Sequence, residues 1–312
     1  MISDTQNADI WERLIQNRSL EDLGLERING LLDVRGLKFP DPKILQRFLY
    51  KGIKLTERER GDIIRGVHWS NLDLSCSNLN GMRLIGGLIE NCRFNEAEFK
   101  DVRVWATTFR DSSFITADMR KSVLGGVHDG VRNSFRGIDF SYADLSGTIY
   151  EAAEFERCVF VNCTMKKIDF QSSSFVDCRF EGELDDVIFY RQGFNGEHFP
   201  PNEMINVDFS KAILRHVGFR RLNLDRVQFP ENSNHIVIKN FGPVLDRMAS
   251  TLQLQNNDLS RKIAAFIANR RKWVAQNQVQ GVISLLDLED VVGKDGVKHF
   301  LSVIPTDTRA GV

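Results

Sequence analysis

Proline is scarce in this chain, seven residues in 312, and cysteine scarcer still at five. Neither sign of charge dominates: 41 lysines and arginines face 42 aspartates and glutamates, for a net charge of -1. That balance excludes a global field drawing the chain to nucleic acid or an anionic membrane. No run approaches the ~18 apolar residues of a membrane span, and the opening MISDTQNADIWERL has no basic-then-apolar leader. An odd number of cysteines in a chain of this size points to reduced thiols, and a cytoplasmic location is expected. Catalytic signatures are also missing. There is no GxxxxGK(S/T), no GxSxG and no GxGxxG after a strand. Histidines 68, 128, 198, 216, 235 and 299 form no HExxH or paired-ligand set. No enzyme activity, cofactor or metal is therefore expected.

What the chain has in excess is phenylalanine, 22 residues against four tyrosines and four tryptophans. Stepping by five from Trp69 reaches Leu74, Leu79, Leu84, Ile89, Phe94, Phe99, Val104, Phe109, Phe114, Met119 and Leu124. Phe135 restarts the rhythm through Phe140, Leu145, Tyr150, Phe155, Phe160, Met165, Phe170, Phe175 and Phe180. After a one-residue slip, Leu184 continues it to Phe229. A helix repeats near 3.6 residues and a strand near 2, so neither explains a period of five. Two residues before many rungs stands a small side chain, among them Ser77, Cys92, Ala97, Ser112, Ala143, Cys158, Cys163 and Cys178. One large and one small inward residue per five describes a coil that turns a corner at every fifth position. Such coils stack at the ~4.8 Å spacing of neighbouring strands and bury a continuous internal column. The spacing of Cys158 and Cys163 could suggest zinc, but at small inward positions these cysteines act as compact apolar residues.

YADLS (142–146) and TADMR (116–120), with near copies CSNLN, IDFSY and VDFSK, resemble the pentapeptide-repeat family and its pattern Ala-(Asp/Asn)-Leu-x-x. The resemblance implies a mainly β fold, a right-handed quadrilateral β-helix with four pentads per turn. Residues twenty apart then become neighbours, so Phe135, Phe155 and Phe175 form one stack and Phe140, Phe160 and Phe180 another. The division expected is an N-terminal helical cap over 1–63, the solenoid over 64–230, and a C-terminal α-helical domain over 231–312.

Two interruptions break the rhythm. GGVHDGVRNS (125–134) is glycine-rich and one residue too long for the phase, which predicts a projecting loop. Around 190–205, GFNGEHFPPNEM carries consecutive prolines and puts Gln192, Glu197 and Asn202 at the small positions. A second projecting loop is expected there. Outside the repeats, NADIWERLIQ and DPKILQRFLY read as helices, and INGLLDVRGLKF as strand-like, with Leu32 and Leu37 five apart. GPVLDRMASTLQL, DLSRKIAAFIANRRKWVAQN, VISLLDLEDVV and GVKHFLSVI carry helical spacing.

Function is read less directly. Loops on a rigid scaffold often carry binding residues, which selects His128 and Asp129 in the first loop and Phe194, Asn195, Glu197, His198 and Phe199 in the second. Outward Ile85 and Trp105 fall on one face in successive coils, with Gly125 next, and Trp is enriched at binding hot spots. The expectation is a non-enzymatic scaffold for a protein partner. Two alternatives stand beside it. Some members of the family that this chain resembles mimic DNA and bind gyrase or related topoisomerases, but residues 66–230 hold 23 acids and 19 bases rather than columns of carboxylates. The solenoid could instead position a C-terminal helical effector. Direct nucleic-acid binding is not expected, although NRRKW (269–273) offers three cations on a helix. Family members that pair through C-terminal elements make 241–304 the candidate homodimer contact.

Overall fold

The computed structural model describes residues 2–40, 63–193, 199–255 and 257–305. The predicted helix DPKILQRFLY lies outside them, as do Phe194, Asn195, Glu197 and His198. The chain divides into two compact units, Met1–Thr164 and Met165–Val312.

In the first unit the backbone pairs with itself in parallel at steps of twenty. Ile63–Arg65, Arg83–Ile85 and Arg103–Trp105 form one side, with Arg83 opposite Arg103. His68–Ser70, Leu88–Glu90 and Thr108–Arg110 form the next. Two further sides are chains of single bridges, Asp73 to Arg93 to Ser113, and Asn78 to Glu98 to Asp118. Four sides per twenty residues make a quadrilateral β-helix. It is right-handed.

The corners have a common conformation. Asn71, Cys76, Asn91, Glu96, Asp101, Ala106, Asp111, Thr116 and Lys121 all take φ between 46° and 58° or, for Lys121, 60°. Each stands two residues after a rung, so every corner is left-handed. For a residue with a Cβ that conformation is uncommon and costs roughly 1–2 kcal/mol. What offsets it lies inside the coil.

Every rung of the first two runs is buried. Phe94, Phe114, Phe140 and Phe160 stack face to face in sequence, with centroids 4.7, 5.6 and 5.0 Å apart. Phe109, Phe135 and Phe155 make a second column at 5.3 and 5.1 Å. Neighbouring columns meet edge to face, as Phe155 does with Phe160 at 5.7 Å, an arrangement aromatic quadrupoles favour. The small positions fill the corners: Ser112 and Ser122 hydroxyls accept the backbone N–H of Cys92 and Val102. Cys92, Cys158, Cys163 and Cys178 are buried thiols. Burial pushes Cys92 and Cys163 up to about 12, so both stay protonated. Cys76 is exposed.

The N-terminal segment begins with helix α1, Asp4–Ile15. Ser3 caps it by accepting the Gln6 N–H, and Ile10, Trp11, Leu14 and Ile15 form its buried stripe. Trp11 meets Trp69 edge to face at 5.9 Å, and Trp69 donates its indole N–H to the Leu14 carbonyl at 3.1 Å. The strand-like reading of INGLLDVRGLKF holds. Leu31–Asp33 lies parallel to Leu72–Asp73, and Lys38 bridges Asn78. This segment extends the ladder past its first coil and closes that end.

In the second unit Met165–Gln171 pairs with Arg179–Tyr190, Met165 opposite Leu184 nineteen residues on. That short coil is the one-residue slip seen in the sequence. In the next coil, where Arg179–Tyr190 pairs with Val207–Arg215, the register shifts by one residue between Arg179 and Glu181. Phe180 stacks on Phe209 at 4.7 Å and Phe189 on Phe219 at 5.4 Å.

Beyond the repeats come α2 (Phe241–Leu254), α3 (Asp258–Arg271) and α4 (Leu285–Val303), which is kinked at Gly293 with φ 67°. Their facing residues Val244, Leu245, Met248, Ile263, Ile267, Leu288 and Phe300 form one apolar cluster. The helical reading of VISLLDLEDVV needs correction at its start. Val282–Ser284 belongs to the strand Gln280–Ser284, antiparallel to His235–Lys239. The β-branched pair Val282 and Ile283 finds Val237 and Ile236 across the ladder, and Ser284 then caps α4 by accepting the Asp287 N–H.

This C-terminal region satisfies the edge of the last coils. Gln280 donates to the carbonyls of Leu224 and Val227 at 2.7 and 2.8 Å. Trp273 O accepts the Arg221 N–H at 2.7 Å. His235, 3% exposed, accepts the Leu214 N–H on Nε2 at 3.0 Å and faces Asn232 Oδ1 from Nδ1 at 2.9 Å. An open solenoid end would leave such groups unpaired. Arg270 is held by Asp287 at 2.8 Å, Arg271 by both oxygens of Asp246 at 2.8 and 3.0 Å, and Trp273 lies over Arg220 at 4.2 Å. The NRRKW cations Arg270 and Arg271 are thus each paired to a carboxylate.

Two measurements check this account. Phe160→Ala should cost about 3–5 kcal/mol in urea unfolding, and a loss under about 1 kcal/mol would place Phe160 outside the column. His235 is buried, which holds its pKa below the ordinary 6.5. A group with a depressed folded pKa favours its neutral form, so its stabilisation is full above 6.5 and declines as pH falls through the folded pKa. The melting temperature of the full chain should drop on going from pH 7 toward pH 5 more steeply than that of His235→Gln, which keeps an acceptor but cannot titrate.

Candidate interaction surface

The first interruption is a β-hairpin. Val127–His128 pairs antiparallel with Val131–Arg132, and the turn between them, Asp129 and Gly130, has φ of 50° and 77°. Asp-Gly with both residues left-handed is the two-residue turn that suits strand twist. Resumed pairing measures the insertion: Ser134 lies opposite Thr108, twenty-six residues earlier instead of twenty. Six extra residues therefore leave the coil and return.

Three residues make that excursion feasible. Gly125 runs so close to the next coil that a Cβ on it would stand 2.0 Å from Glu151 N. Asn133, fully buried, spans the gap, donating to the carbonyls of Val104 and Leu124 at 2.7 and 2.9 Å and accepting the Thr107 N–H at 3.0 Å. Arg132 donates to the Ala152 carbonyl at 2.6 Å and lies 3.3 Å from Glu154. Burial pulls its pKa down and Glu154 opposes this. The sequence reading missed Asn133 and Arg132, although a polar pair at the re-entry of a long pentad was the available signal.

Ile85 and Trp105 are in direct register on adjacent strands. Both are half-buried. The hairpin base partly covers Trp105, since a Cβ on Gly126 would lie 3.4 Å from Trp105 Cδ1. The same side continues through Val123, which bridges Ile149, and Ile149 is 53% exposed. At the hairpin Val131 is 52% exposed and His128 Nε2 stands 3.5 Å from Asp129. The first unit thus brings Ile85, Trp105, His128 and Asp129 to one region and adds Val131 and Ile149, which sequence reasoning did not single out.

The second interruption lies in the other unit. Leu184 pairs with Leu214, thirty residues later, so this excursion adds ten residues to a coil. Its base is closed by the Asn202 N–H to Arg191 O at 2.6 Å and by the Gly193 N–H to Ser172 Oγ at 2.7 Å. Phe199 is partly exposed there, outside the aromatic columns despite its place in the rhythm.

Outward charge on the first unit is mixed. Lys100 and Arg120 lie among Glu98, Asp118 and Asp144, with contacts of 2.6 to 3.8 Å. The Arg120 guanidinium holds the Asp118 carboxyl below the usual carboxylate range. Among the described residues no cluster of His, Cys, Asp or Glu could hold a metal ion. No described helix is long and apolar enough to cross a membrane.

Comparison with known proteins agrees with the period. The model for pentapeptide repeats matches residues 138–182 in eight copies. No curated protein sequence matches the chain. Among solved structures, trypsin-treated QnrB1, a plasmid-mediated fluoroquinolone resistance protein, is 18% identical with a TM-score of 0.29, covering 65% of this chain and 85% of its own. HetL, a pentapeptide repeat protein involved in heterocyst differentiation regulation from the cyanobacterium Nostoc, is 13% identical with a TM-score of 0.30, covering 55% of this chain and 90% of its own.

Gly125→Ala should destabilise the chain by at least about 1–3 kcal/mol, because backbone blocks the new methyl. Gly130→Asn, at a turn position asparagine tolerates, should change stability by only about a few tenths of a kcal/mol. Denaturant unfolding of both variants tests the hairpin, and equal effects would contradict it.

Proposed function

With residues 138–182 assigned as pentapeptide repeats, we propose that this chain is a non-enzymatic scaffold that binds a partner protein. The reading is carried by the side of the first unit where Ile85 and Trp105 run in register beside a projecting hairpin. A half-buried tryptophan flanked by exposed Ile149 and Val131 offers an aromatic anchor with apolar neighbours, the composition of an interface centre. The aromatic columns hold that side rigid, so little ordering entropy is lost on binding. Phe199 and the second excursion, with Phe194, Asn195, Glu197 and His198, belong to the same proposal as loop contacts.

Mimicry of DNA, and with it a topoisomerase partner, is the weaker reading. Glu98, Asp118 and Asp144 do stand in register in successive coils, but Lys100 and Arg120 lie against all three, so this acidic column is neutralised. The contacts of Gln280, His235 and Trp273 with the last coils favour a capping role for the C-terminal region over that of an independent effector.

The test is co-purification from the native cell with the full chain, with Trp105→Ala, and with the hairpin residues 127–132 shortened to a two-residue turn. At least one protein should be retained by the full chain and lost from both variants. A partner set identical across all three would overturn the assignment of this surface.

A further inference from the structure

Where the second excursion rejoins the coil, a buried amide has no partner. Asn202 is 2% exposed, and neither its Nδ2 nor its Oδ1 has a hydrogen-bond partner. Buried amides are nearly always satisfied, and one that is not calls for an explanation. Asn202 is among the residues that line a cavity of about 600 Å³ within the second unit, in the size range of ligand sites.

Three arginines line the same cavity. Arg191, Arg221 and Arg226 contribute to its wall, and none of the three has a carboxylate within ion-pair distance among the described residues. Elsewhere in this unit Arg215, Arg270 and Arg271 are each paired to an aspartate, and Arg220 lies over Tyr190 and Trp273. Glu203 and Asp225 also line the cavity, so its formal charge is positive by one. Both acids are unpaired there as well, which leaves the arginines' donors free for another molecule.

The two sets of unmet groups select the occupant. An asparagine side chain presents a donor and an acceptor side by side, and in an extended segment the N–H and C=O of one residue face the same side and answer both. Arginine forks match carboxylates bidentately. Inorganic phosphate would satisfy the arginines and Nδ2, and its P–OH could serve Oδ1, so competition by phosphate is the arm of the test that separates the two occupants. We propose that this cavity binds an extended acidic peptide segment of a partner protein, its backbone held by Asn202 and its carboxylates by Arg191, Arg221 and Arg226. The proposal rests on the scaffold reading and gives the partner's chemistry at a surface distinct from Trp105.

Fluorescence anisotropy of the full chain with labelled, end-capped hexaglutamate tests it. Hexaglutamate should bind, and millimolar inorganic phosphate should not displace it. Arg221→Glu and Arg226→Glu, both at exposed positions, should each weaken binding about tenfold or more. Asn202→Asp, which keeps the shape and removes the donor, should do the same. Arg65→Glu, an exposed arginine of the other unit, and Trp105→Ala should leave hexaglutamate binding unchanged, so failure here is separable from failure of the Trp105 surface. Absence of binding, displacement by phosphate, or equal affinity in Arg226→Glu and Arg65→Glu would overturn the proposal.

Discussion

Backbone pairing at a step of twenty is possible only because every corner is left-handed and every fifth side chain is large and apolar. The two requirements are coupled. Left-handed φ at Glu96, Thr116 or Lys121 is unfavourable taken singly, and it is sustained by the rings that the corners aim inward. Each coil places its phenylalanines against those of the coil before it, at centroid distances of 4.7 to 5.6 Å in the column from Phe94 to Phe160. Dispersion and apolar burial then accumulate along the axis. The serines follow from the same geometry, since Ser112 and Ser122 sit two residues before a rung and use their hydroxyls to bond the neighbouring coil.

Most of this was legible because the period is unlike any helix or strand. The rungs, the buried cysteines and the first interruption could be read from spacing, whereas the second was marked by its prolines and by Gln192, Glu197 and Asn202 at the small positions. The slip at Leu184 was legible too, and it corresponds to a nineteen-residue coil. What could not be read are contacts made by tertiary pairing. Val282 and Ile283 carry a helix-like pattern with the residues after them, yet they pair with Val237 and Ile236 because the last coil needs a covering edge. Asn133 looks like any loop residue until the coils are closed around it. Phe199 keeps the rhythm in the sequence and leaves it in space, where consecutive prolines 200 and 201 cannot donate to a ladder. For the candidate surface, the register of Ile85 with Trp105 followed from the step of twenty, whereas the apolar additions Val131 and Ile149 required knowing which side chains stay uncovered.

The functional reading divides along the same line. A wall of stacked coils presents outward residues at fixed spacing and does little else, so chemistry concentrates where the wall is interrupted. The hairpin is fastened by Asn133 and Arg132 and therefore extends rigid structure. The second excursion has a closed base but leaves Asn202 and its arginines unanswered. One interruption adds shape beside an aromatic residue, and the other gathers polar groups around a cavity.

The left-handed corners also decide how such a chain comes apart. Each kink is tolerable while a neighbouring turn grips it from above and below, and the outermost turn is gripped on one side only. Stripping Trp11 from Trp69, or Gln280 from Leu224 and Val227, hands that weaker position to the next turn inward. Damage at a terminus is then inherited turn by turn, like a zipper opening from its end, while a lesion at mid-wall is clamped on both flanks and stays put.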